Sequence, residues 1–283
     1  MSIARHGRGV RAAARAFASQ IHPVFMLPPL AASWFGTLLA GQFSLLTGAL
    51  HMLAIFGAVY TAHVKDGYID FHVRDEDDDH PLTQLGCQVA LMAAGLLVAA
   101  ALIGLYIVAG PGAVALTFPG WAIGFLHAPQ LDTNPVTTTT GYPTGIGLAV
   151  LGGYYTQTMA LAAEPLAVAA VMVVLLSGVK VIDDAQDYEY DRGIAKRTVA
   201  VALGMRRARL VAFTLMALGL LGVLLAAGIG VLPASSVFAV LAFAGVAVLA
   251  RRADPELATM LLIRGSYLFL AALVIAVWFE PLA

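Results

Sequence analysis

Residues 166–198 read LAVAAVMVVLLSGVKVIDDAQDYEYDRGIAKRT. A run oily enough to lie in a bilayer passes directly into Asp183, Asp184, Asp187, Glu189 and Asp191, with Arg192, Lys196 and Arg197 close behind. Ionisable groups at the end of a membrane helix are costly, so acids gathered there are expected to hold something. The apolar half of the stretch decides the fold class, and the acidic half decides the chemistry.

Outward from this stretch, runs of similar character recur at about 22–40, 46–65, 84–105, 108–127, 143–162, 166–184, 208–228, 231–250 and 259–279. Each approaches the roughly 20 residues that cross a hydrocarbon core. Segments of this length satisfy their backbone polar groups internally as helices, not as barrel strands. The chain is 60% hydrophobic and 12% charged, whereas soluble domains carry about 25% charged residues. Its mean hydropathy is +0.85. The expectation is an all-α polytopic membrane protein, with nine transmembrane helices in a single bundle and one domain over residues 1–283. The first run follows several arginines, as in a signal peptide, but eight more runs come after it and it reads as a retained helix. A net charge of −1 gives no ground for a nucleic-acid partner. The single cysteine, Cys87, excludes an internal disulfide and a Cys-rich metal site and reads as a small core residue.

Basic residues set the orientation. With the N-terminus inside, Arg5, Arg8, Arg11 and Arg15 precede the first helix, and Lys65 and Arg74 flank the second connection. Lys180, Arg192, Lys196, Arg197, Arg206, Arg207 and Arg209 surround the sixth connection, and Arg251, Arg252 and Arg264 lie at the eighth. All 16 Lys and Arg then share one side, and the other side holds only Glu164 and Glu280. This asymmetry predicts a multi-pass protein of the cell membrane, with the N-terminus and acid clusters cytoplasmic and the C-terminus on the opposite side. Residues 1–20 space Arg8, Arg11 and Arg15 as a helix would; this arm is either an interfacial basic helix or a topology signal alone. The stretch LDTNPVTTTTGYPTG, residues 131–145, reads as a loop or strand-like spacer, and the glycines of GYPTGIGLAVLGGYY read as close helix packing.

A second acid cluster, KDGYIDFHVRDEDDDHPLT, occupies residues 65–83. Asp66 and Asp70 are four apart, and Asp183, Asp187 and Asp191 repeat at four, the spacing that stacks side chains on one helix face. Carboxylates so placed repel one another, so a cation belongs among them. Their oxygens suit hard cations, and Mg2+ takes one or two carboxylates while sharing its remaining shell with water and phosphate. Two such clusters at one membrane face can clamp a phosphate group between metals. Lys180, Arg192, Lys196 and Arg197 are candidates to neutralise its oxygens, although retention of topology explains the same bases equally well. The run Asp75 and Asp77 to Asp79 reads as a solvated loop. Acid pairs also serve cation transporters, but transport sites lie near the midplane with access to both faces, and these acids gather at one.

The residues carry a family resemblance. DGYIDFHVR (Asp66–Arg74) resembles the first motif, NDxxDxxxD, of the UbiA superfamily of intramembrane prenyltransferases, and DDAQDYEYDRGIAKRTVAVALG (Asp183–Gly204) resembles its second, DxxxDxxxD with a trailing GKRTLAVxLG. That tail is most like the branch that prenylates dihydroxynaphthoate. HPVFMLPPLAASWFGT (His22–Thr37) is similar to the family's opening helix. The resemblance implies nine helices and a polyprenyl diphosphate donor, with Mg2+ bridging the diphosphate to both motifs. It further implies ionisation of the allylic C–O bond and capture of the carbocation by a hydrophobic acceptor, or internal quenching as in a terpene cyclase of the same fold. A lipid or carotenoid acceptor is a further alternative. By motif, Asp66 and Asp70 serve one metal, Asp183 and Asp187 the other, and Asp191 closes the set; Tyr68 and Tyr188 either contact substrate or anchor the interface. Three positions depart from the pattern. Arg74 stands for the third acid of motif one, either as a diphosphate-binding base or at the cost of a weaker metal site, and His22 stands for a base in helix 1. No Lys or Arg occurs from Asp75 to Val179, where the family places a central phosphate-binding base; that region offers His127 and Gln130.

Overall fold

The computed structural model describes residues 2–194 and 196–282. Among these, regular structure is helical apart from one isolated bridge between Ala4 and Leu82. The helices are α1 (Gly9–Ala18), α2 (Pro23–Leu39), α3 (Leu45–His72), α4 (Gln84–Leu126), α5 (Pro135–Thr158), α6 (Ala163–Asp184), α7 (Tyr188–Asp191), α8 (Val199–Leu203), α9 (Met205–Gly228), α10 (Val237–Arg252) and α11 (Pro255–Phe279). Six helices are long and apolar enough to cross a membrane, and α2 is apolar but shorter.

The long α4 is two segments. Gly110 adopts φ 76°, a left-handed value that interrupts the helix. Gly57 packs on Ala94 and Val98, and Gly104 on Leu50, so the first half runs antiparallel to α3. Gly124 then lies against Ala58, so the chain has doubled back beside the same helix. The two apolar runs on either side of Gly110 therefore form a helical hairpin without a loop, giving nine apolar helical segments among the described residues.

Two local expectations are corrected. The threonine run is helix, not spacer. Asn134 accepts from the Val136 N–H at 2.9 Å, Pro135 starts α5, and the Thr138 and Thr140 hydroxyls donate to the carbonyls of Asn134 and Val136 at 2.8 Å. Bonding to the carbonyl four residues back satisfies the hydroxyls without leaving the helix. Also, the second acid motif does not ride one continuous helix. Helix α6 ends at Asp184, Gln186 N–H turns back to the Asp183 carbonyl at 3.1 Å, and Asp187 precedes the short α7 that carries Asp191.

The core lies where α6 packs on α9 and α5 packs on α2. A Cβ on Gly153 would stand 2.1 Å from the Ser33 carbonyl, so the close approach of α5 to α2 requires glycine there. The N-terminal arm docks on the connection after α3. Arg5 N–H bonds the Pro81 carbonyl at 3.0 Å, the Arg5 guanidinium lies 3.3 Å from Asp79, and His6 lies 2.9 Å from the same carboxylate. Arg8, Arg11 and Arg15 are exposed.

Candidate active site

A cavity of about 690 Å³ lies among α2, α3, α4, α5, α6 and α11. Its mouth carries Asp66 and Asp70 from α3, Lys180 and Asp183 from α6, His22 before α2 and His127 after α4. Its depth is apolar, with Ile55, Val59, Ile146, Leu176, Val179 and Ile263. Ile55 precedes Asp66 by eleven residues of one helix, which is about 16 Å along the axis. Charge at one end and hydrocarbon at the other follow from α3 and α6 both passing from oily to acidic near their C-termini.

Basic groups are threaded between the acids. Lys180 Nζ lies 3.0 Å from Asp183 Oδ2 and 2.5 Å from Asp184 Oδ1. The Arg74 guanidinium lies 2.6 Å from Asp132, 3.5 Å from Asp70 and 3.7 Å from Glu76. Lys196 Nζ reaches Glu76 at 3.7 Å, and Arg197 donates its backbone N–H to the Asp132 carbonyl at 2.9 Å. A left-handed Asp75, φ 57°, turns the chain so that Glu76 N–H bonds the Asp70 carbonyl at 2.7 Å; aspartate tolerates this conformation better than most residues. Burial works against the Lys196 ammonium, but the carboxylates of Asp70, Asp66, Glu76 and Asp191 outweigh it and hold its pKa above the ordinary lysine value. Burial pushes the Asp191 carboxyl up to about 6; Lys196 opposes this, and Asp184 and Asp187 add to it.

The donor set fits a hard divalent cation. The acids at the mouth offer carboxylate oxygen, and buried Asp70 Oδ1 and Asp184 Oδ2 have no hydrogen-bond partner. Asp70 Oδ1 meets only the Arg74 guanidinium, at 3.5 Å, and carboxylate oxygens left without a hydrogen bond are ones that Mg2+ can take. Arg74 contributes a fixed positive charge beside Asp70.

Of the residues singled out from sequence, His22, Asp66, Asp70, His127, Lys180 and Asp183 line the cavity. Arg74 and Lys196 belong to the ion-pair network beside it. The structure places Tyr68 elsewhere. Two residues beyond Asp66 it faces away around the helix, where its hydroxyl accepts from Gln84 at 3.1 Å. Tyr188 and Arg192 stand together off the cavity wall, the guanidinium 5.3 Å from the ring centre and 3.5 Å from Glu189. Arg197 and Gln130 are exposed, and so are Asp75 and Asp77 to Asp79, although Asp77 also borders the cavity and Asp79 holds the N-terminal arm.

The sequence reading missed Glu76, Asp132, Tyr142 and Tyr267, and it counted Asp184 among the acids without giving it a role. Asp132 was recognisable as the one acid between Asp79 and Glu164. The tyrosines answer a signal in α2. Pro28 and Pro29 remove the N–H groups that would bond the carbonyls of Val24 and Phe25. Tyr267 and Tyr142 supply the replacements: Tyr267 donates to Val24 O, and Tyr142 donates to Phe25 O at 3.2 Å.

A profile of the UbiA prenyltransferase family matches residues 25–273. No curated protein matches the chain. Among solved structures, an apo UbiA homologue from Aeropyrum pernix K1 superposes with a TM-score of 0.74 at 14% identity, covering 90% of this chain and 98% of that one. A structure described as digeranylgeranylglyceryl phosphate synthase in membranes gives 0.72 at 11% identity, covering 93% and 98%. A UbiA homologue from Archaeoglobus fulgidus bound to GPP and Mg2+ gives 0.67 at 17% identity, covering 94% and 100%. Such identities establish a shared fold, and the profile spans most of the chain, including both acid motifs. The chain belongs to the UbiA prenyltransferase family.

Proposed function

We propose that this protein transfers a polyprenyl group from a polyprenyl diphosphate to a lipid-soluble acceptor, an aromatic quinone precursor, in a Mg2+-dependent reaction. The observation that carries the reading is a cavity joining a carboxylate mouth to an apolar depth. A diphosphate headgroup with a hydrocarbon tail has the same division. The Archaeoglobus fulgidus homologue bound to GPP and Mg2+ supports the donor class and the cation.

Asp66, Asp70, Asp183, Asp187 and Asp191 would hold the metal, which when bound neutralises charge on the diphosphate leaving group. Lys180, Arg74 and Lys196 add fixed positive charge around the same group. As the allylic C–O bond ionises, its electron pair leaves with the diphosphate oxygen. The apolar walls keep water from the cation until an acceptor carbon captures it and loses a proton. The acceptor class rests on Gly193–Gly204, the segment that resembles the dihydroxynaphthoate branch. The orientation rests on the bases: with nine crossings and the N-terminus cytoplasmic, the acid mouth faces the cytoplasm.

The test is diphosphate release by purified protein in detergent, from farnesyl and geranylgeranyl diphosphate, with and without dihydroxynaphthoate. Mg2+-dependent release that needs the acceptor supports transfer. Release without acceptor, yielding a cyclic product, would replace this reading with a cyclase. Asp187→Ala is expected to abolish turnover while leaving thermal unfolding unchanged, and full turnover in that variant removes Asp187 from the site.

A further inference from the structure

Three soft-ligand side chains meet where the end of α3 faces the start of α4, beside the first acid motif, which His72 shares. His72 ends α3, His80 lies in the connection, and Cys87 sits in the first turn of α4. One ring nitrogen of each histidine and the Cys87 sulfur all lie within 4.8 Å of one another. Cys87 Sγ is 4.0 Å from His80 Nδ1. His80 Nδ1 and His72 Nε2 both point at the Leu82 carbonyl oxygen, at 3.1 and 3.2 Å. Cys87 is 0% and His80 4% exposed, while His72 is partly exposed and His80 borders the cavity.

Local structure explains the convergence. Thr83 caps α4 by accepting from Gly86 N–H at 3.0 Å, which sets Cys87 above Leu82. Leu82 is held from the other side by its bridge to Ala4. On α3, a Cβ at Gly67 would stand 2.6 Å from His80 Nε2, so only glycine leaves room for that ring.

We propose that His72, His80 and Cys87, with the Leu82 carbonyl, form a binding site for a thiophilic divalent cation of the Zn2+ class. Imidazole and thiolate suit Zn2+, and a four-coordinate shell of two nitrogens, one sulfur and one oxygen is within its range. Mg2+ prefers the all-oxygen set at the cavity mouth. Binding releases the Cys87 thiol proton to solvent and leaves a thiolate on the metal. The Leu82 N–H donates to His80 Nδ1 at 3.2 Å, which leaves the ring proton on Nε2 and a lone pair on Nδ1 that the cation would take over. The cation then ties the end of α3 to the start of α4. It fixes the connection that carries Glu76 toward Arg74 and Lys196 and receives the N-terminal arm at Asp79.

The test is Co2+ substitution in the purified full-length protein, followed by near-ultraviolet absorption and metal analysis. The expected result is one tightly held Co2+ with a thiolate-to-metal charge-transfer band, displaced by Zn2+ and not by Mg2+. Since Cys87 is the only thiol in the chain, the wild-type band is decisive by itself. The band should persist in an Asp183→Asn, Asp187→Asn double variant and vanish in Cys87→Ser. His72→Gln, at a partly exposed position, should weaken binding by about tenfold or more. Co2+ uptake without a thiolate band, or a band that Mg2+ displaces, overturns the proposal and assigns the cation to the carboxylates.

Discussion

Arg74 and Asp132 form an ion pair between the end of α3 and the connection after α4. An acid is expected to close motif one, where Arg74 stands, and a base is expected in the central connection, where Asp132 stands. The two side chains meet at 2.6 Å, and both are nearly buried, at 13% and 7% exposed. The pair sets its positive charge at the end of α3, beside Asp70. Removing one partner of a buried pair strands the other and costs about 3–5 kcal/mol. Arg74→Ala and Asp132→Ala should therefore each lower kcat/KM and thermal stability. The double variant should fall short of the sum by about 1–3 kcal/mol of coupling. Diphosphate-release kinetics across the four proteins give that number, and strict additivity would mean the two residues act separately. The residue scale also shows what sequence makes legible. Asp66 and Asp70 are neighbours on one helix, so their spacing reveals them. Asp132 reaches Arg74 only through the folding of α4 and α5, and nothing local to either residue signals the pair. Glu76 was hidden among exposed acids because a single left-handed turn at Asp75 brings it inward.

The same distinction holds for elements. Apolar runs marked most helices, since length and hydropathy are properties of the segment itself. The reversal at Gly110 was visible only as a short gap between two runs, because a hairpin that needs one left-handed glycine leaves no polar loop to see. Helix ends were less legible, since the break after Asp184 and the start of α5 are set by hydrogen bonds and not by composition. Helix α2 shows how a local defect is completed elsewhere. Its paired prolines free two carbonyls in the first turn of the helix, and tyrosines from α5 and α11 satisfy them. Tyr142→Phe should then lower stability by about 0.6–1.7 kcal/mol, the range of hydrogen bonds between membrane helices. In a Pro29→Ala background, the backbone N–H regained at that position can bond Phe25 O within the helix, and the loss of the Tyr142 hydroxyl should become nearly silent. Thermal unfolding in detergent across the four proteins measures this. An equal loss in both backgrounds would show that the hydroxyl does not serve that carbonyl.

At the scale of the whole molecule, the connections form two sets. Arg74, Asp132, Lys196 and Arg197 link the connections after α3, after α4 and after α7, and Arg209 bonds the Arg251 carbonyl. On the opposite side Gln157 bonds the Ser44 backbone N–H at 2.7 Å, and Ser235 bonds the Ala276 carbonyl at 3.0 Å. Gly112, just past the α4 reversal, packs on Tyr155 and so belongs with this second set. The first set carries the bases, and basic connections are retained in the cytoplasm. Single cysteines at Pro111, Ala160 and Glu256, all exposed positions, test this directly, since native Cys87 is fully buried and contributes little background labelling. A membrane-impermeant maleimide should label Pro111→Cys and Ala160→Cys in intact cells and label Glu256→Cys only in inverted vesicles. Labelling of Glu256→Cys from outside would invert the orientation and put the acid mouth on the far side. Protection of Pro111→Cys from both sides would bury the turn at Gly110 within the membrane and remove two of the nine proposed crossings, while leaving the ends of α3 and α6, and so the site, on a common face.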